Sequence, residues 1–271
     1  MAMVVQHNMR AMNANRMLSV NTSTQAKSTE KLSSGYRINR AADDAAGLAI
    51  SEKMRRQVRG LTQASRNASD GVSMVQTAEG ALNEVHEMLQ RMSELAVQAS
   101  SDSYQDTDKG YLNSEVSKLM EEITRTANNT TFNEISLLSG PSTKSIQVGT
   151  EAGQTIKITL SKMDADGIGL SGVSIASKTD ATAALAKIKT AINSVSSFRS
   201  ELGATQNRLE HTIKNLDNVV ENTSAAESQI RDTDMASEMV KLSNINILAQ
   251  AGQAMLAQAN QGNQGVLALL Q

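Results

Sequence analysis

Between Gly47 and Ala99 apolar residues recur at alternating spacings of three and four. The seam runs Gly47, Ile50, Met54, Gln57, Leu61, Ala64, Ala68, Gly71, Val75, Ala78, Leu82, Val85, Leu89, Met92, Ala96 and Ala99, and only Gln57 in it is polar. This spacing puts every member on one stripe of an α-helix, and a stripe kept in step for so long has to be covered by other helices. At 1.5 Å per residue it is ~80 Å long, far beyond a compact domain of this mass. The chain has only 2 Phe and 3 Tyr and no Trp in 271 residues, but 14 Met, which suits narrow helix seams better than a globular core. A single proline, Pro141, leaves long helices unbroken.

The pair Asp43-Asp44 predicts a helix start. A polar turn from Ser100 to Asp108 is followed by a second seam through Leu112, Val116, Leu119, Ile123 and Thr126, so the chain doubles back. A third seam runs Leu185, Ile188, Ile192, Val195, Arg199, Leu202, Gln206, Leu209, Ile213, Leu216, Val220, Thr223, Glu227 and Ile230, long enough to lie along the first. Between the second and third the period switches to two, at Ile146 and Val148, then Ile156, Ile158 and Leu160 around a turn at Gly149 to Gly153, which predicts a β-hairpin. Residues 164–177 read as an irregular, flexible connection. The expected fold is mainly α, an elongated coiled-coil helical bundle with one small β-hairpin region.

The ends differ from the middle. A loose heptad through Val4, Ala11, Leu18, Gln25 and Leu32, and another through Met235, Met239, Leu242, Ile245, Ala249, Gly252 and Leu256, predict helices too poor in large apolar groups to be stable alone. They gain order by burying those faces in partners. Residues 1–70 carry 11 Lys and Arg against 5 acids, while residues 201–271 carry 4 against 8, although the net charge is only −2. Opposite charge favours approach of the two ends, or of neighbouring copies. The expected division is 1–43 as an N-terminal inner-core helix and connecting segment, 44–178 and 179–230 as the outer core, and 231–271 as a C-terminal inner-core helix.

Signals for chemistry do not survive their spacing requirements. Gly167-Ile168-Gly169-Leu170-Ser171-Gly172 matches a dinucleotide-binding pattern but lacks the helix that must follow at once. His86-Glu87-Met88-Leu89-Gln90 begins like a zinc-protease motif, yet Gln90 stands where the second imidazole is needed. Asp164-Ala165-Asp166-Gly167 suggests a calcium loop, but Lys162 and Val173 occupy the two key acidic positions. Only His7, His86 and His211 could serve as general bases, and no constellation forms around them. No cofactor or metal is expected. Arg55, Arg56 and Arg59 have no interleaved aromatics, so nucleic acid is not an expected partner. A membrane-spanning run is missing, and so are cysteine and a basic-then-apolar leader, so an extracellular destination requires a dedicated exporter.

The run Leu32-Ser33-Ser34-Gly35-Tyr36-Arg37-Ile38-Asn39-Arg40-Ala41-Ala42-Asp43-Asp44-Ala45-Ala46-Gly47-Leu48-Ala49-Ile50-Ser51 resembles the N-terminal signature of bacterial flagellin, and Gly60 to Gly71 and Gln76 to Leu82 continue it. Leu202 to Glu210 and Ile230-Arg231-Asp232-Thr233-Asp234-Met235-Ala236 resemble its C-terminal counterpart, so the likeness covers nearly the whole chain. It implies a non-enzymatic flagellar filament subunit serving motility, in a short form without the family's variable outer domains. It implies secretion, unfolded, through the flagellar type III export apparatus to an extracellular filament. The expected partners are further copies of the chain, an export chaperone, hook-associated and cap proteins, and host Toll-like receptor 5. Polymerisation is expected to rest on Val4, Ala11, Leu18, Leu32, Met235, Met239, Leu242, Ala249, Leu256, Leu267 and Leu270, and receptor binding on Gln90, Arg91, Leu95 and Glu115. A hook-filament junction protein of the same family is the alternative. A filament-borne protease would need the histidine that Gln90 replaces.

Overall fold

A computed structural model describes residues 7–268, the side chains of 263–268 excepted. Five helices and two short β-ladders follow in the order α1 Met9–Ser34, α2 Ala45–Ser100, α3 Asp106–Asn129, β1 Thr131–Phe132, β2 Ile135–Ser136, β3 Ser142–Gln147, β4 Thr155–Leu160, α4 Lys178–Arg231 and α5 Met235–Ala268. Asp44 starts α2 as expected, its Oδ1 accepting the Gly47 N–H at 2.8 Å. Ser177 caps α4: its Oγ accepts the Asp180 N–H at 3.2 Å and donates to Asp180 Oδ2 at 2.7 Å.

The chain divides into two units, which cut through both long helices rather than falling between elements. One comprises Gln57–Glu221, the other the described residues of Met1–Arg56 and Asn222–Gln271. In the first, α2 and α4 run antiparallel, with Ser65 donating to Asp217 at 3.0 Å, Leu209 against Gly71, and Arg199 3.7 Å from Glu79. From Leu61 to Ala99 every expected α2 seam residue is buried. Val116 and Ile123 of α3 join them, with Ile188, Val195, Leu202 and Leu209 of α4 and one aromatic, Phe198.

The β3–β4 hairpin has the expected strands, with Ile146 opposite Ile156. Ile156, Ile158 and Leu160 alternate inward, as a half-buried strand requires. The expectation of one hairpin misses β1–β2, whose two-residue turn places Asn133 and Glu134 at φ 48° and 64°. Such a turn is usually announced by glycine, and none is present there. Residues 164–177 also differ from the flexible connection expected. They bury Ile168, Leu170, Val173 and Ile175, and Asn113 of α3 accepts the Ile175 N–H at 2.8 Å. The Gly-x-Gly-x-x-Gly spacing has a purely conformational cause: Gly169 and Gly172 take positive φ, and a Cβ on Gly167 would lie 2.4 Å from the Lys162 carbonyl oxygen.

In the second unit the seam of α2 changes phase. Gly47 and Ser51 are buried, whereas Ile50 is 48% exposed. No helix among the described residues is long and apolar enough to cross a membrane.

Candidate functional site

The second unit centres on α1 and α5. They are the only helices, among the described residues, whose backbones come repeatedly within 8 Å of each other. Small seam residues such as Ala11, Ala14, Ala249 and Gly252 permit that approach. The pair is antiparallel: Asn8 Nδ2 donates to the Ala259 carbonyl at 3.0 Å, Leu18 faces Gly252, and Gln25 donates to Asn246 Oδ1 at 2.7 Å. Asn8 also caps α1 by accepting the Ala11 N–H, so one side chain both starts the helix and ties it to its partner. Ser28 Oγ donates to Glu238 Oε1 at 2.6 Å, with both residues buried. That hydrogen bond first, and then the charge of Lys241, holds the Glu238 carboxyl below its ordinary value.

Of the residues expected to drive polymerisation, Ala11, Leu18 and Leu32 of α1 and Leu242, Ala249 and Leu256 of α5 are half-buried along this seam, beside buried Ile245. Met235 and Met239 lie off the seam, 46% and 56% exposed, because Glu238 takes its first position. Val4 and Leu270 lie outside the described residues, as does the side chain of Leu267. The expectation also missed a second stripe. Val240 and Ile247, and Leu248 and Met255, recur at heptad spacing on the face of α5 turned away from α1, and each is 54–64% exposed. Met9, Met12, Met17 and Val20 of α1 are likewise 52–67% exposed. The signal was present in the sequence, but it competes with the seam for the same helix.

A joint links the ends of α1 and α4. Gly35 caps α1 in the left-handed conformation at φ 76°, and its carbonyl accepts the Thr233 N–H at 2.9 Å. The Arg37 N–H donates to the Arg231 carbonyl at 2.7 Å, and the Arg37 guanidinium to the Ile230 carbonyl at 2.6 Å. Arg231 in turn lies 4.8 Å from the centre of the Tyr36 ring and donates to Glu52 at 2.6 Å. Ile38, 2% exposed, fills the joint against Gly47. These are residues of the two end signatures, which thus meet each other in space.

In the first unit Arg91 donates to Glu115 across to α3 at 3.0 Å and to Glu94 at 3.2 Å, and those carboxylates raise its already high pKa. Arg91, Gln90 and Glu115 are exposed, with Gln90 2.9 Å from the His86 ring. Leu95 is 1% exposed and belongs to the core beneath them.

Residues 5–143 match the family described as the bacterial flagellin N-terminal helical region, and residues 185–270 match the bacterial flagellin C-terminal helical region. The chain belongs to the bacterial flagellin family. It is 55% identical over 271 residues to a flagellin of Halalkalibacterium halodurans, covering 99% of this chain and 100% of that one. To the flagellar filament 31.3 kDa core protein of Treponema maltophilum it is 46% identical over 286 residues, again covering 99% and 100%. The crystal structure of Bacillus cereus flagellin is similar at 28% identity and a TM-score of 0.50, over 56% of this chain and 88% of that one. Flagellin is a structural protein of the flagellar filament rather than an enzyme. Between the two family regions this flagellin has only residues 144–184, the β3–β4 hairpin and the packed loop, so it is a short form without a large variable domain.

Proposed function

We propose that the chain polymerises into the filament through the faces of α1 and α5 that their mutual pairing leaves bare. The observation that carries this reading is the large apolar side chains held in water on those faces, Val240, Ile247, Leu248 and Met255 on α5 and Met9, Met12, Met17 and Val20 on α1. Two helices whose seam already buries one stripe each gain little by exposing a second unless another copy covers it. The bare stripes then join subunits, while Ala11, Leu18, Leu32, Leu242, Ala249 and Leu256 hold each subunit's own pair together. Met235 and Met239 belong with the bare stripes, and a polymerisation role is proposed as well for Val4, Leu267 and Leu270, whose side chains lie outside the described residues. The double substitution Ile247→Asp with Leu248→Asp should leave helical circular dichroism unchanged and abolish filaments in electron micrographs. Normal filaments from that variant would overturn the reading. The relatives named as flagellin and as a filament core protein favour the bulk filament over a hook-filament junction.

We further propose that Gln90, Arg91 and Glu115 form a host Toll-like receptor 5 contact, with Leu95 fixing the backbone from below. Their exposure on adjoining helices supports this. Arg91→Ala should weaken receptor signalling about tenfold in a reporter cell, the order of magnitude for losing one exposed charged contact at an interface. The cysteine-free chain also suits unfolded passage through a type III exporter, with a chaperone before export and cap and hook-associated proteins at the growing end.

A further inference from the structure

Sulfur is distributed unevenly over this chain. In α1 and α5 every methionine of the described residues faces water: Met9, Met12 and Met17 at 67%, 61% and 52% exposure, and Met235, Met239 and Met255 at 46%, 56% and 64%. In the long-helix unit no methionine is exposed: Met74, Met92 and Met163 are at 4%, 0% and 7%, and Met88 and Met120 are half-buried against the core. Among the described residues the seam between α1 and α5 contains no methionine; it is built from Ala11, Leu18, Ser28, Leu242, Ile245, Ala249 and Leu256. The thioethers therefore lie on the surface reserved for other subunits and are missing from the surface that keeps the pair together.

We propose that these six methionines are a modification site for hydroperoxide-class oxidants, and that their oxidation blocks assembly of the free subunit without unfolding it. In the reaction the sulfur lone pair attacks one oxygen of hydrogen peroxide, an S–O bond forms and the O–O bond breaks. The departing hydroxide takes the proton from the oxygen now bound to sulfur and leaves as water. Sulfur loses two electrons to the peroxide, and the product is methionine sulfoxide. A flexible apolar side chain thereby becomes a polar one whose oxygen must be stripped of water before a second subunit can cover it. The inference rests on the proposed assembly faces. If those faces are covered in the filament, the same sulfurs become shielded there, so free subunit and filament should differ in susceptibility.

The test treats the purified, unassembled full chain with hydrogen peroxide, maps sulfoxides by peptide mass spectrometry, records circular dichroism, and then induces polymerisation. Met9, Met12, Met17, Met235, Met239 and Met255 should oxidise about tenfold or more faster than Met74 and Met92, the contrast expected from access alone. The oxidised chain should keep its helicity yet give far fewer filaments, and a methionine sulfoxide reductase should restore them. A chain with all six positions changed to Leu should polymerise before and after peroxide alike. Should that variant fail to polymerise at all, Met9→Gln with Met255→Gln, which mimics the polar product without oxidant, must show reduced filament yield for the proposal to stand. Equal oxidation of Met74 and the outer six, or normal filaments from fully sulfoxidised chain, would overturn it. Failure of the untreated chain to assemble through these faces would instead overturn the assembly reading, while the sulfoxide map would still report access.

Discussion

Ser28 and Glu238 sit where apolar side chains would otherwise interdigitate between α1 and α5, and their hydrogen bond is the only charged contact fully inside that seam among the described residues. Removing the hydroxyl by Ser28→Ala leaves a buried carboxylate without its nearest donor and should destabilise the pair by about 1–2 kcal/mol near neutral pH. Because Glu238 has a folded pKa below its unfolded value, its contribution is fully present above the ordinary glutamate range and is lost as pH falls through the folded pKa. The difference between wild type and Ser28→Ala in thermal melts should therefore begin to shrink as pH falls through the ordinary glutamate value of about 4.3 and disappear only below the lower folded pKa. A gap that persists unchanged in acid would rule this account out. Sequence alone did not single out this pair, since neither residue fits the apolar heptad and nothing local announces that they face each other.

At the scale of elements, the long helices were legible because their periodicity is a local property. Leu61 to Ala99 in α2 bury the stripe that the spacing predicts, and in α4 Ile188, Val195, Leu202, Leu209 and Leu216 do so, whereas Ala191 and Phe198 are buried where the spacing pointed to Ile192 and Arg199. Leu82, at 0% exposure in the centre of that core, should cost about 3 kcal/mol when cut to Ala, read from chemical denaturation of the full chain. A loss well under 1 kcal/mol would mean that the core collapses around the gap. What periodicity could not supply was the phase change in α2, where Ser51 replaces Ile50 on the buried side. The stripes through 50 and through 51 both pass Gly47 and Met54, and only the packed partner selects between them. The β1–β2 turn and the packed 164–177 loop were missed for a related reason. Their order comes from side chains far away in sequence, such as Asn113, rather than from their own composition.

At the scale of the whole molecule, the two units hold their order differently. The unit of Gln57–Glu221 encloses a continuous core from Ala68 to Leu209, whereas among its described residues the one containing α1 and α5 buries no large apolar side chain beyond Ile38 and Ile245. In the unassembled chain, amide hydrogen exchange should be about tenfold or more faster across α1 and α5 than between Leu82 and Ala96, since local opening follows buried contact. Polymerisation should narrow that gap, and equal protection in the free chain would show that the terminal pair is self-sufficient. The sequence by itself determined the helical class, the three long seams, the hairpin and the family, because period and motif are carried by neighbours along the chain. It also marked both ends as weak. Only the tertiary structure decided which stripe of each terminal helix is used internally, and that Tyr36, Arg37 and Arg231 join the two signatures. α1 and α5 each carry two competing apolar stripes, and the choice between them is made by the surface of the other helix.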